Sequence, residues 1–97
     1  MNIEELYKII EERKKNLPEN SYVTALFKKG KDKIIQKVGE ESTEVIIAAK
    51  NESKQRIISE IADLAFHLLV MMSFIGITPK DIFKELGRRK SKVVNTS

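Results

Sequence analysis

The sequence predicts an all-α fold, and three observations predict it. Apolar residues recur at three- and four-residue intervals through most of the chain, capping residues and glycines punctuate them at helix-length spacing, and no stretch alternates apolar with polar as a strand would. No internal repeat, low-complexity tract or linker interrupts the 97 residues, so one domain over 1–97 is expected.

The first helix opens at Asn2, which forms a capping-box pattern with Glu5, and Ile3, Leu6, Tyr7 and Ile10 carry its apolar stripe to about Lys15. Leu17 to Asn20, with Pro18, ends it. Ser21 caps a short helix through Tyr22, Leu26 and Phe27 that stops at Gly30, a residue suited to the left-handed turn. A long helix follows from about Lys31 to Lys50, broken by Asn51, Glu52 and Ser53. A second long helix runs from about Lys54 to Ile75 and ends at Gly76. Thr78, Pro79 and Asp81 then supply a cap, a proline at the first helical position and an acid in the first turn of a last helix that fades near Arg89. From about residue 91 the sequence reads as a flexible polar tail.

Absence of cysteine excludes disulfides, thiolate zinc sites and cysteine nucleophiles, and suits a reducing cytoplasm. The amphipathic, acid-bearing start MNIEELYKII is unlike a signal peptide. Glu60, Asp63 and His67 interrupt the longest apolar region, Ile57 to Ile77, which argues against a membrane span. A net charge of +4 and a pI near 9.4 favour an anionic partner. Nucleic acid is one such partner, but neither a recognition-helix pattern nor interleaved aromatics is present, so none is expected. Lys28, Lys29, Lys31, Lys33 and Lys37 immediately precede Glu40, Glu41 and Glu44, and bases beside acids suit a phosphate-plus-metal site. The second long helix is apolar on nearly every face after Ile57 and must be surrounded by other helices. A lone chain this short hardly supplies them, so a homodimer or higher homo-oligomer should complete the bundle.

Projected at about 100° per residue, the first long helix places Ile34, Val38, Val45, Ala48 and Ala49 on one stripe with Glu41 in its middle. Glu44 and Lys37 flank that stripe, and Glu40 lies further round. The second repeats the anomaly, with Glu60, Asp63 and His67 on one face with Val70, Met71 and Phe74. Acids on core faces repel one another unless cations or protons compensate. Glu41 with Glu44 and Glu60 with Asp63, each at i and i+3, converge if the helices oppose. All-oxygen donors favour Mg2+, with Mn2+ as an alternative. A di-iron bundle needs Glu-x-x-His, and the only histidine, His67, has Leu64 three residues before it. A solvated acidic face, or acids paired with lysines in a purely structural bundle, is the competing reading. His67 reads as a satisfied histidine near the site rather than a ligand.

The two-part motif, Glu40-Glu41-x-x-Glu44 followed by Glu60-x-x-Asp63, resembles the MazG-like nucleoside-triphosphate pyrophosphatases. The segment from Ser21 to Lys50 and the A-D-L-x-x-H-L-L-V run from Ala62 to Val70 resemble, more narrowly, the phosphoribosyl-ATP pyrophosphatases of histidine biosynthesis, with Phe66 where a tyrosine is expected. The resemblance extends from about Leu17 to Arg88. It implies hydrolysis of 1-(5-phosphoribosyl)-ATP to 1-(5-phosphoribosyl)-AMP and pyrophosphate in the cytoplasm. Magnesium would sit on Glu41, Glu44, Glu60 and Asp63, with Glu40 or Glu44 as catalytic carboxylate and Lys37 and Lys33 on substrate phosphate. The alternative within the superfamily is a housekeeping pyrophosphatase acting on ordinary or damaged nucleoside triphosphates.

Overall fold

The computed structural model describes residues 1–94, which form six helices and no strand. They are α1 (Ile3–Asn16), α2 (Tyr22–Lys29), α3 (Lys31–Asn51), α4 (Lys54–Ile75), α5 (Pro79–Arg88) and α6 (Lys90–Val94).

Caps account for most of the boundaries. Asn2 Oδ1 accepts the Glu5 N–H at 2.8 Å, Ser21 and Ser53 do the same for Thr24 and Arg56, and Thr78 with Asp81 closes a full capping box. The α1–α2 turn uses two non-glycine residues at positive φ, Leu17 and Asn20, at a cost of about 1–2 kcal/mol for each. Gly30, at φ 95°, ends α2 and begins α3. Lys29 therefore does not continue the helical face of Lys33 and Lys37. At the chain's end, α6 occupies Lys90–Val94 where the sequence reads as flexible tail, and positions 95–97 lie outside the described residues.

The two-residue break Glu52–Ser53 folds α3 and α4 into a helical hairpin, the most extensive pairing in the molecule. α1 packs on α4, and α2 on α1 and α3. Tyr7, Ile10, Val23, Leu26, Ile34, Leu69, Val70 and Met72 form the core, all at the open end of the hairpin. Polar ties fasten α1 over it: Tyr7 Oη donates to the Ile77 carbonyl at 2.7 Å, Lys14 Nζ to the Ser73 carbonyl at 2.7 Å, and buried Ser73 Oγ to Glu11 Oε2 at 2.7 Å.

The loop end has no such cover. Ala49, assigned by periodicity to the apolar stripe, is exposed, and so are Ile46 (59 %), Ile47, Ile58 (57 %) and Ile61. The hairpin projects, giving a radius of gyration of 15.2 Å where a compact chain of this length has about 13 Å. The acidic residues lie between the packed end and the bare end.

Candidate active site

Because α3 and α4 are antiparallel neighbours, residues one turn apart on each meet across the groove between them. α3 contributes Lys37, Glu40, Glu41 and Glu44, and α4 contributes Arg56, Glu60 and Asp63. Together they line an open cleft of about 580 Å3, within the size range of small-ligand sites. Glu41, Glu60 and Asp63 each bring a carboxylate oxygen within 4.8 Å of the other two. Glu60 is only 5 % exposed and the Glu41 side chain 12 %, so these are not solvated surface acids. Glu44 lines the same cleft outside this trio, and Glu40 lies at its exposed rim.

Two cations offset part of the charge. Lys37 Nζ lies 3.5 Å from Glu41 Oε1 and 3.9 Å from Glu40 Oε2, so its partners are these two carboxylates. Burial opposes its charge, but Tyr22, Glu40 and Glu41 outweigh burial and hold the ammonium above its ordinary range. Arg56 Nη2 lies 2.9 Å from Glu60 Oε1. Five carboxylates against two cations still leave an excess of negative charge. Asp63 is exposed, so the trio opens to solvent on one side; that excess of charge, the burial of Glu41 and Glu60 and the all-oxygen donors fit a hard divalent cation held by Glu41, Glu60 and Asp63. Lys33 does not line the cleft.

Behind the trio, His67 Nδ1 lies 2.8 Å from the Asp63 carbonyl and Nε2 lies 2.8 Å from Tyr22 Oη. A carbonyl only accepts, so Nδ1 carries the proton; in the neutral ring Nε2 then accepts from the Tyr22 hydroxyl. The histidine is satisfied at both nitrogens, as its sequence context suggests. Burial, with Glu41, Asp63 and Glu40, raises the Tyr22 hydroxyl against the opposing pull of Lys37.

Sequence reasoning missed two of these residues. Arg56 carried a readable signal, an i,i+4 spacing to Glu60. Tyr22 carried none, since it sits on α2, 45 positions before His67, and only the tertiary fold brings them together.

An all-α hairpin with facing carboxylates that suit a divalent cation, flanked by phosphate-compatible cations, defines a class of helical, metal-type phosphohydrolase sites. The family model described as phosphoribosyl-ATP pyrophosphohydrolase matches residues 3–90. The chain is similar to the phosphoribosyl-ATP pyrophosphatase of Sulfolobus acidocaldarius, at 52 % identity over 93 % of this chain and 95 % of the relative. It is similar also to the phosphoribosyl-ATP pyrophosphatases of Clostridium acetobutylicum (50 %, covering 96 % and 84 %) and Saccharolobus solfataricus (51 %, covering 91 % and 94 %). The chain belongs to the phosphoribosyl-ATP pyrophosphohydrolase family.

Proposed function

We propose that this chain is a phosphoribosyl-ATP diphosphatase that hydrolyses 1-(5-phosphoribosyl)-ATP to 1-(5-phosphoribosyl)-AMP and pyrophosphate, the second step of histidine biosynthesis. The observation that carries this reading is the convergence of Glu41, Glu60 and Asp63 within 4.8 Å, in a chain whose family is named for that activity.

Glu41, Glu60 and Asp63 would hold magnesium, with manganese an acceptable substitute, and Glu44, which lines the same cleft outside the trio, would join them as a fourth ligand. Bound there, the ion supplies charge neutralisation for the triphosphate and for the departing pyrophosphate. The chain's own residues do the rest. Lys37 turns from its carboxylate partners to a phosphate oxygen, and Arg56, half-exposed beside Glu60, does the same from the opposite helix. Lys33 reaches substrate only if the phosphates extend beyond the cleft. A water oxygen bonds to one phosphorus of the α–β anhydride, that phosphorus's bond to the bridging oxygen breaks, and the group on the far side leaves with the electron pair: pyrophosphate when the α-phosphorus is attacked, 1-(5-phosphoribosyl)-AMP when the β-phosphorus is. The proton from water passes to Glu44 or Glu40, the carboxylates of the cleft outside the trio. No covalent nucleophile is required.

The domain spans the whole chain and acts as a homodimer or higher homo-oligomer in the cytoplasm. α4 is long and apolar enough to cross a membrane by length and composition, yet only 28 % of that stretch is buried within the protomer. A second copy over the loop end of the hairpin, rather than lipid, covers the remainder, since Glu60 and Asp63 lie on the same helix. No nucleic acid is a partner.

Pyrophosphate release in the presence of magnesium from phosphoribosyl-ATP, dUTP and dCTP tests the reading. Phosphoribosyl-ATP should be the preferred substrate. Equal or faster release from dUTP or dCTP would instead establish a housekeeping pyrophosphatase of nucleoside triphosphates.

A further inference from the structure

Tyr22 has an unusual combination of properties. It is the first residue of α2, it is 51 % exposed, and yet its orientation is fixed. Its hydroxyl is tied to His67 Nε2 at 2.8 Å, and that histidine, 4 % exposed, is itself tied to the Asp63 carbonyl. The Phe66 ring stacks on it at 6.0 Å and 27°, and the His67 ring meets it edge-on at 5.7 Å. The ring is thus packed beside Phe66, its hydroxyl end is tethered, and half of the residue's surface remains exposed. The tether ends on the backbone carbonyl of Asp63, which lines the acidic cleft, so the ring lies two hydrogen bonds from the cleft wall without itself lining it.

The cleft itself is lined by charged side chains alone, with no aromatic ring among them. A nucleotide whose phosphates lie on Lys37 and Arg56 must place its base outside that lining. A rigid, half-exposed aromatic ring backed by a second ring is the group that takes a base by its π-face at low entropic cost. We infer that Tyr22, backed by Phe66 and held by His67, is the stacking platform for the purine of the substrate. This rests on the reading of the cleft as a nucleotide phosphate site, and it makes Tyr22 a specificity-determining residue rather than a catalytic one.

Steady-state kinetics with phosphoribosyl-ATP, and inhibition by tripolyphosphate, which has phosphates and no base, separate the base from the phosphates. Tyr22→Leu should raise KM about tenfold, as loss of one base–aromatic stack does, while the inhibition constant of tripolyphosphate moves less than twofold. Tyr22→Phe, which keeps the ring and loses the tether, should raise KM less. A KM within twofold of wild type in Tyr22→Leu would overturn the inference, as would KM and the tripolyphosphate constant rising together.

A second measurement needs no variant and no turnover. The chain has no tryptophan and only two tyrosines, of which Tyr7 is buried in the core. AMP should quench tyrosine emission, excited beyond the adenine absorption band, whereas ribose 5-phosphate should not. Equal responses to the two refute stacking, even if phosphoribosyl-ATP itself proves not to be hydrolysed and the proposed function fails.

Discussion

Arg56 Nη2 lies 2.9 Å from Glu60 Oε1, one helical turn away, and it is the only ion-pair partner of that buried carboxylate among the described residues. Removing Arg56 leaves Glu60 without compensation until a cation arrives. The Arg56 side chain is 53 % exposed, so solvent screens the pair and the loss is about 1 kcal/mol rather than the several expected for a fully buried one. Arg56→Met should therefore melt about 4–8 °C lower in chelator, with magnesium restoring more stability to the variant than to wild type. Identical magnesium-induced shifts in the two proteins would show that Arg56 and the ion do not share Glu60.

Crowded carboxylates repel one another, so without a cation the trio should cost stability. Replacing Glu41, in the middle of the α3 stripe, with leucine removes one repelling charge and adds apolar contact. Glu41→Leu should raise the melting temperature in chelator, by roughly 1 kcal/mol of stability, and should abolish both hydrolysis and the magnesium-induced shift. A stabilised variant that still hydrolyses its substrate would return the acids to a purely structural role.

The half-exposed isoleucines at the loop end make a sharp prediction about assembly. Ile58→Glu places a charge among the exposed isoleucines of the loop end and should convert the proposed oligomer to monomer in light scattering after size exclusion, with hydrolysis falling in parallel. A wild-type protein that runs as a monomer at all concentrations would contradict this.

Acid sensitivity should come in part from the α1–α4 tie. Burial pushes the Glu11 carboxyl up, but hydrogen bonds from Ser73 and Lys14 together outweigh it and hold the group below the ordinary carboxylate range. A depressed folded-state value means the contribution is present above the unfolded-state value, about 4.3, and is lost as pH falls through the folded one. Glu11→Gln should therefore show a flatter loss of stability below pH 4–5 than wild type in denaturant titrations. Parallel acid limbs would remove Glu11 from the account.

Much of this was legible in the sequence because it is local. Asn2, Ser21 and the Thr78–Asp81 run mark helix starts through contacts three residues long, and Gly76 marks an end for the same reason, whereas Ser53, read only as part of a break, proves to be a cap. The acidic faces were legible because projecting a helix needs only its period. What was not legible depends on how helices cross or stop. Lys33 has a spacing of four from Lys37, but the position at which the helix pairing opens into the cleft leaves it outside the lining. Tyr22 reaches the site across a helix crossing that no sequence period encodes. Glu44 has the spacing of a fourth ligand, but it lines the cleft beside the trio rather than within it.

The central claim is that a divalent cation on Glu41, Glu60 and Asp63 drives pyrophosphate release. The most direct test is the rate of that release from phosphoribosyl-ATP by wild type and Glu60→Gln, each with magnesium and with chelator. Wild type should require magnesium, and Glu60→Gln, which keeps the shape and loses the charge, should be at least about a hundredfold slower, equivalent to about 2.7 kcal/mol of barrier. Wild-type release that persists in chelator, or a Glu60→Gln enzyme at the wild-type rate, would contradict the account.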